Sequence, residues 1–134
     1  MNNKNLIIEI MANTINVTAC DNELIILAYQ ATGSFELCRI LSGNLNPINV
    51  TININEGSYQ GTQVINGINV PIPPTSFTTT LPAGSYNLLL LGIDWGTTSI
   101  FTVNVNGTNY NYPQTTTKGL GGLVWNAGPI AITV

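Results

Sequence analysis

An all-β fold is predicted for this chain, and three features of its sequence predict it. Apolar residues recur at every second position, most cleanly in "PINVTININE" (47–56), where Ile48, Val50, Ile52 and Ile54 share one face. Glycine and proline fall between the apolar stretches, at Gly33, Gly43, Gly57, Gly61, Pro82, Gly84, Gly96 and the 119–122 run. No window carries a 3.6-residue apolar stripe bounded by helix caps. These features imply a single domain over residues 1–134, an antiparallel β-sandwich or jelly-roll-like fold of about ten short strands.

Taken in order, "TINVTA" (14–19) alternates as a half-buried strand, and "DNE" (21–23) reads as a turn. "ELIILAYQA" (23–31) and "SYNLLLLGI" (85–93) are continuous apolar runs. They read as central strands covered on both faces. "FELCRIL" (35–41) alternates less cleanly, because Arg39 falls in the otherwise apolar row. Two Asn-Gly pairs, Asn66-Gly67 and Asn106-Gly107, predict two-residue hairpins, since a type I′ turn needs positive φ at both central positions. The second hairpin would set Val105 opposite Thr108, Val103 opposite Tyr110 and Phe101 opposite Tyr112. The first would set Ile65 opposite Ile68 and Gln63 opposite Val70. Pro71, Pro73 and Pro113 then mark strand exits, and "PIAITV" (129–134) closes the chain.

Composition narrows the function. Charged residues make up 7% of the chain, against about 25% in ordinary domains. Three basic residues, six acidic ones and no histidine leave a net charge of −3. With no basic cluster, nucleic acid and anionic membrane surfaces are not expected partners. The first apolar run is short and broken by Glu9, so neither an export signal nor membrane insertion is expected. Cytoplasmic synthesis with signal-independent release stays open. Without an export signal, Cys20 and Cys38 read as reduced thiols rather than a disulfide.

The chemistry of catalysis is sparse. Lacking histidine, the chain has no Ser-His or Cys-His pair, and it contains no nucleotide-binding glycine motif. Glu23, Glu36, Glu56 and Asp94 are spread too thinly to predict a carboxylate pair, so no enzyme activity is expected. No metal site or other cofactor is expected either: there is no CxxC spacing and no dense acidic loop. The most suggestive segment is "GIDWGTTS" (92–99). Asp94, Trp95 and Thr97, with Trp125 and Asn126 in "GGLVWNAG", are the candidate carbohydrate-binding residues, because an exposed indole beside hydrogen-bonding groups suits a sugar ring. The competing reading makes each indole a plug at the open end of the core.

Two functions follow. The first is a non-enzymatic, self-associating structural or interaction subunit, of the capsid-surface, appendage or oligomeric-shell type. Its expected contacts are sheet edges or the terminal segments Asn2 to Ile10 and Pro129 to Val134. The alternative is a lectin-like carbohydrate-binding module, the acidic, Asn- and Thr-rich, lysine-poor composition being similar to that of small β-sandwich lectins. The partner in the first case is the chain itself, and in the second a glycan.

Overall fold

The computed structural model describes residues 13–43, 48–68, 70–96, 98–116 and 121–134. Among them are nine strands and no helix: β1 (Asn13–Gln30), β2 (Gly33–Gly43), β3 (Val50–Glu56), β4 (Gln63–Asn66), β5 (Thr75–Leu81), β6 (Ser85–Asp94), β7 (Thr98–Val105), β8 (Thr108–Thr116) and β9 (Gly122–Thr133). They form one curled, mixed sheet organised on β1. The N-terminal half of β1 pairs with β3 and β7, which makes a first ladder in the order β8-β7-β1-β3-β5. Its C-terminal half pairs with β2 and β6, which makes a second ladder in the order β4-β2-β1-β6-β9.

The two strands expected at 14–19 and 23–31 are therefore one, and "DNE" is not a turn. Asp21 and Asn22 are buried where β1 passes from one ladder to the other. A bulge at Thr18 makes this possible. Val17 pairs with Val103 but Ala19 with Thr102, so one residue is inserted and the inward phase changes. Before it, Ile15 and Val17 point inward. After it, Cys20, Leu24, Ile26 and Ala28 do. A second bulge explains Arg39. Ile26 pairs with Cys38 and Leu27 with Glu36, which leaves Leu37 extra, so Leu37 and Cys38 are both buried and Arg39 turns outward.

The antiparallel expectation fails at two edges, where β4 runs parallel to β2 and β5 parallel to β3. A tight turn cannot join parallel neighbours; they need a crossover. Here the chain leaves β3, crosses to the second ladder as β4 and returns to lie beside β3 as β5. Tyr59 holds this excursion, its ring 4.9 Å from that of Phe35 and its hydroxyl donating to the Glu36 carbonyl at 2.6 Å. Ile72 buries its side chain against the core.

The two Asn-Gly pairs part company at this point. Asn106-Gly107 forms the expected turn, with φ of 50° and 92° and the predicted register throughout. Asn66-Gly67 does not form the expected hairpin. Among the described residues β4 has only the parallel partner β2. Pro71, Pro73 and Pro74 deprive the returning arm of donors, so it cannot ladder. Gly67 is needed instead for close approach, since a Cβ there would strike the Ile72 side chain.

Both ladders turn apolar residues into one buried cluster. Ile15, Val50, Ile52, Phe101 and Val103 enter from the first, and Leu24, Ile26, Ile40, Leu88 and Leu90 from the second. Ile48 and Ile54 are buried as the alternation predicts.

Candidate functional site

The expected sugar-binding residues gather only in part. Asp94 ends β6, fully buried, and its Oδ1 accepts from the Gly96 backbone N–H at 3.2 Å. Trp95 follows it, its backbone N–H donating to Asn22 Oδ1 at 2.6 Å while 48% of the residue stays exposed. These bonds tie the start of the loop to the bend in β1. Asn22, Ser42 and Asp94 are buried at this polar end, where Ser42 Oγ donates to the Cys20 and Asn22 carbonyls.

Trp125 packs against the core. Its ring is half-buried and stacks on Phe101 at 5.5 Å with 12° between planes. Gly92, its partner across the β6–β9 ladder, makes room for Phe101, because a Cβ there would lie 2.7 Å from the ring. Asn126 is exposed beside Leu91, and alternation along β9 sends it away from Trp125. Thr97 lies outside the described residues, as does the segment Asn2 to Ile10.

The two outer faces carry a sharper contrast, which single segments of sequence do not display. On the first ladder most outward positions are amides and hydroxyls: Ser76 and Thr78 on β5, Thr51 and Asn53 on β3, Thr14 and Asn16 on β1, Thr102 and Asn104 on β7, Asn109 and Asn111 on β8. Many bond to one another across strands. Asn16 Nδ2 donates to Asn49 Oδ1 at 2.9 Å and to Thr51 Oγ1 at 3.0 Å, and Asn104 Nδ2 donates to Asn109 Oδ1 at 2.9 Å.

Along the middle of the second ladder the outward positions are apolar. Ile25 and Leu27 on β1 sit beside Leu91 and Leu89 on β6, with Ile93, Leu41 and the exposed Leu123 and Val64 around them. Only the alternate residues of β1 and β6 enter the core, so the two continuous apolar runs are covered on one side. Their other side is half-exposed. The sequence signal for this strip was there, in two runs with hardly a polar position.

One charged cluster sits on this face. Arg39 binds Glu36 through two bonds, Nε to Oε2 at 2.9 Å and Nη2 to Oε1 at 3.1 Å, and reaches Glu23 Oε2 at 3.4 Å. Its guanidinium pKa is raised, chiefly by the hydrogen bonds to Glu36. The remaining reactive groups lie inside: Cys20 and Cys38 are buried free thiols. Desolvation pushes the Cys38 thiol up to about 12 and that of Cys20 up as well, so neither is a nucleophile near neutrality.

Comparison with protein families, with characterised proteins and with solved structures finds no match for this chain.

Proposed function

We propose that the chain is a non-enzymatic, self-associating structural subunit, its two ladders forming a sandwich that assembles with copies of itself into a surface, appendage or shell. The observation that carries this reading is the state of the sheet edges. Among the described residues β4, β9, β5 and β8 stand outermost, and none contains a Lys, Arg, Asp or Glu. Edge strands normally carry such charges because their unpaired N–H and C=O groups will accept another strand. Here Pro113 and the bulged Pro129 interrupt β8 and β9, whereas β5 has no such interruption.

Light scattering over a range of concentrations tests the reading. The wild-type mass is expected to exceed 14.3 kDa. Thr78→Lys on β5 and Thr133→Lys on β9 should reduce the size of the largest assemblies while leaving the circular dichroism unchanged. A monodisperse monomer at high concentration would overturn it.

One observation favours the lectin-like alternative, the exposure of Trp95 next to the buried Asp94, with its backbone N–H fixed by Asn22. Glycan-array binding that is lost in Trp95→Ala would select that reading.

A further inference from the structure

We infer that the apolar outer face of the second ladder docks on the same face of a second copy, sheet on sheet, so that the unit of assembly is a two-fold dimer. This rests on the self-association reading but uses a different surface from the edges. The first support is the contrast within one molecule. The first ladder shows how this chain builds a face for water, with Asn and Thr at most outward positions of its strands. The second ladder has Ile25, Leu27, Leu89, Leu91 and Ile93 at the equivalent positions of its two central strands, with Glu23 at one end and Tyr29 and Asn87 at the other. An apolar strip through the middle of a sheet, with polar groups beside it, is the anatomy of a protein interface.

The occupant follows from size and charge. The strip and its flanks span seven residues of β1 (23–29) and five strands, about 20 Å by about 20 Å at ordinary strand spacing. A helix or an added strand covers a width of only about 10 Å, whereas a second sheet of equal width covers it all. In plan the face is about 400 Å², about half of the roughly 800 Å² per partner of a standard interface, which suits a dimer that dissociates on dilution. The face offers little to a charged partner, because Arg39 is already taken by Glu36 and Glu23.

Two-fold symmetry also disposes of the one charged cluster. An axis lying in the interface, along the line between β1 and β6, sets β1 over the partner's β6. It sets the charged β2 side over the partner's β9, which has no charged residue. No like charges then meet: Arg39 and Glu36 lie at the β2 flank, and Glu23, at one end of the strip on β1, lies over the uncharged outer side of the partner's β6.

The test transplants the chemistry of the first ladder to the second, as Leu89→Asn/Leu91→Thr. Both positions face away from the core, so the fold should persist by circular dichroism. Sedimentation should show dimer dissociation about 100-fold easier than in wild type, while Thr78→Lys, on the other ladder, leaves the dimer intact. A second measurement guards against a variant that fails to fold. In Leu91→Cys, a maleimide should label the new thiol quickly in dilute protein and slowly in concentrated protein, with Cys20 and Cys38 silent because they are buried. An oligomer of unchanged mass in the double variant, with Leu91→Cys labelled freely in the assembled state, would overturn the face and leave self-association standing. Protection at every concentration in a monomer would show that the subunit covers its own face. A freely labelled monomer would remove both readings.

Discussion

Cys20 on β1 and Cys38 on β2 face the core from neighbouring strands, and each thiol is held protonated by burial. The consequence appears in alkali. In the unfolded chain a thiol ionises near pH 8.5, whereas in the folded protein it keeps its proton to about pH 12 for Cys38 and is shifted upward for Cys20 as well. Above about pH 8.5 the unfolded state binds fewer protons than the native state, so stability falls as pH rises and is fully present below that point. Between pH 7.5 and 9.5 the two thiols together should remove about 3 kcal/mol, about 1.4 kcal/mol from each and most of it above about pH 8.5. Urea unfolding at the two pH values checks this. Cys20→Ala/Cys38→Ala should start less stable but lose little over the same interval. Trp125 and Trp95 teach a related lesson at the same scale. Both sit in similar Gly-rich stretches of sequence, yet one stacks on Phe101 and the other stays exposed, because only Trp125 lies across from Gly92.

Local patterns were legible in some elements and not in others. The alternation of β3 and the register of the β7–β8 hairpin were readable because they need nothing beyond the pleat and a two-residue turn. Asn106 also docks that turn on β1. Its Oδ1 accepts from the Thr14 N–H and its Nδ2 donates to Asn13 Oδ1, both at 2.9 Å. Asn106→Ala should therefore cost about 2 kcal/mol, through lost bonds and a strained positive φ. Asn106→Gly keeps the backbone freedom and should cost about half as much. Asn66 accepts one local bond, from the Ile68 N–H, so Asn66→Ala should cost less than about 1 kcal/mol. Chemical denaturation of the three variants separates the turn from its look-alike. The parallel placement of β4 and β5 was not legible, because a crossover is decided by which edge the returning chain finds. The same holds for β1, whose bulge at Thr18 inserts one residue without any local signature.

At the scale of the molecule the faces decide behaviour. One outer face is an amide and hydroxyl lattice, the other an apolar strip, and the charges of the described residues all lie on β1, β2, β3 and β6. An assembly built from such surfaces should depend weakly on salt. Raising sodium chloride from about 0.05 M to about 0.5 M, which shortens the screening length from about 14 Å to about 4 Å, should change the association constant by less than about threefold. Light scattering across the series measures it. Dissociation at high salt would mean that ion pairs hold the subunits and that the apolar and edge surfaces do not.

The sequence by itself determined the all-β class, the inward rows of β3 and the turn at Asn106-Gly107, because these depend on neighbours two to ten residues away. It also limited the chemistry, since a chain without histidine and with six scattered acids has few ways to move a proton. Only the tertiary structure decided that β1 serves two ladders, that Arg39 faces out, and that Trp125 belongs to the core while Trp95 does not. It alone gathered Ile25, Leu27, Leu89 and Leu91 into one outer strip. The physical reason is that a face is made by strands distant in sequence. Periodicity says which residues share a side, and only strand pairing says what stands beside them and whether anything lies on top.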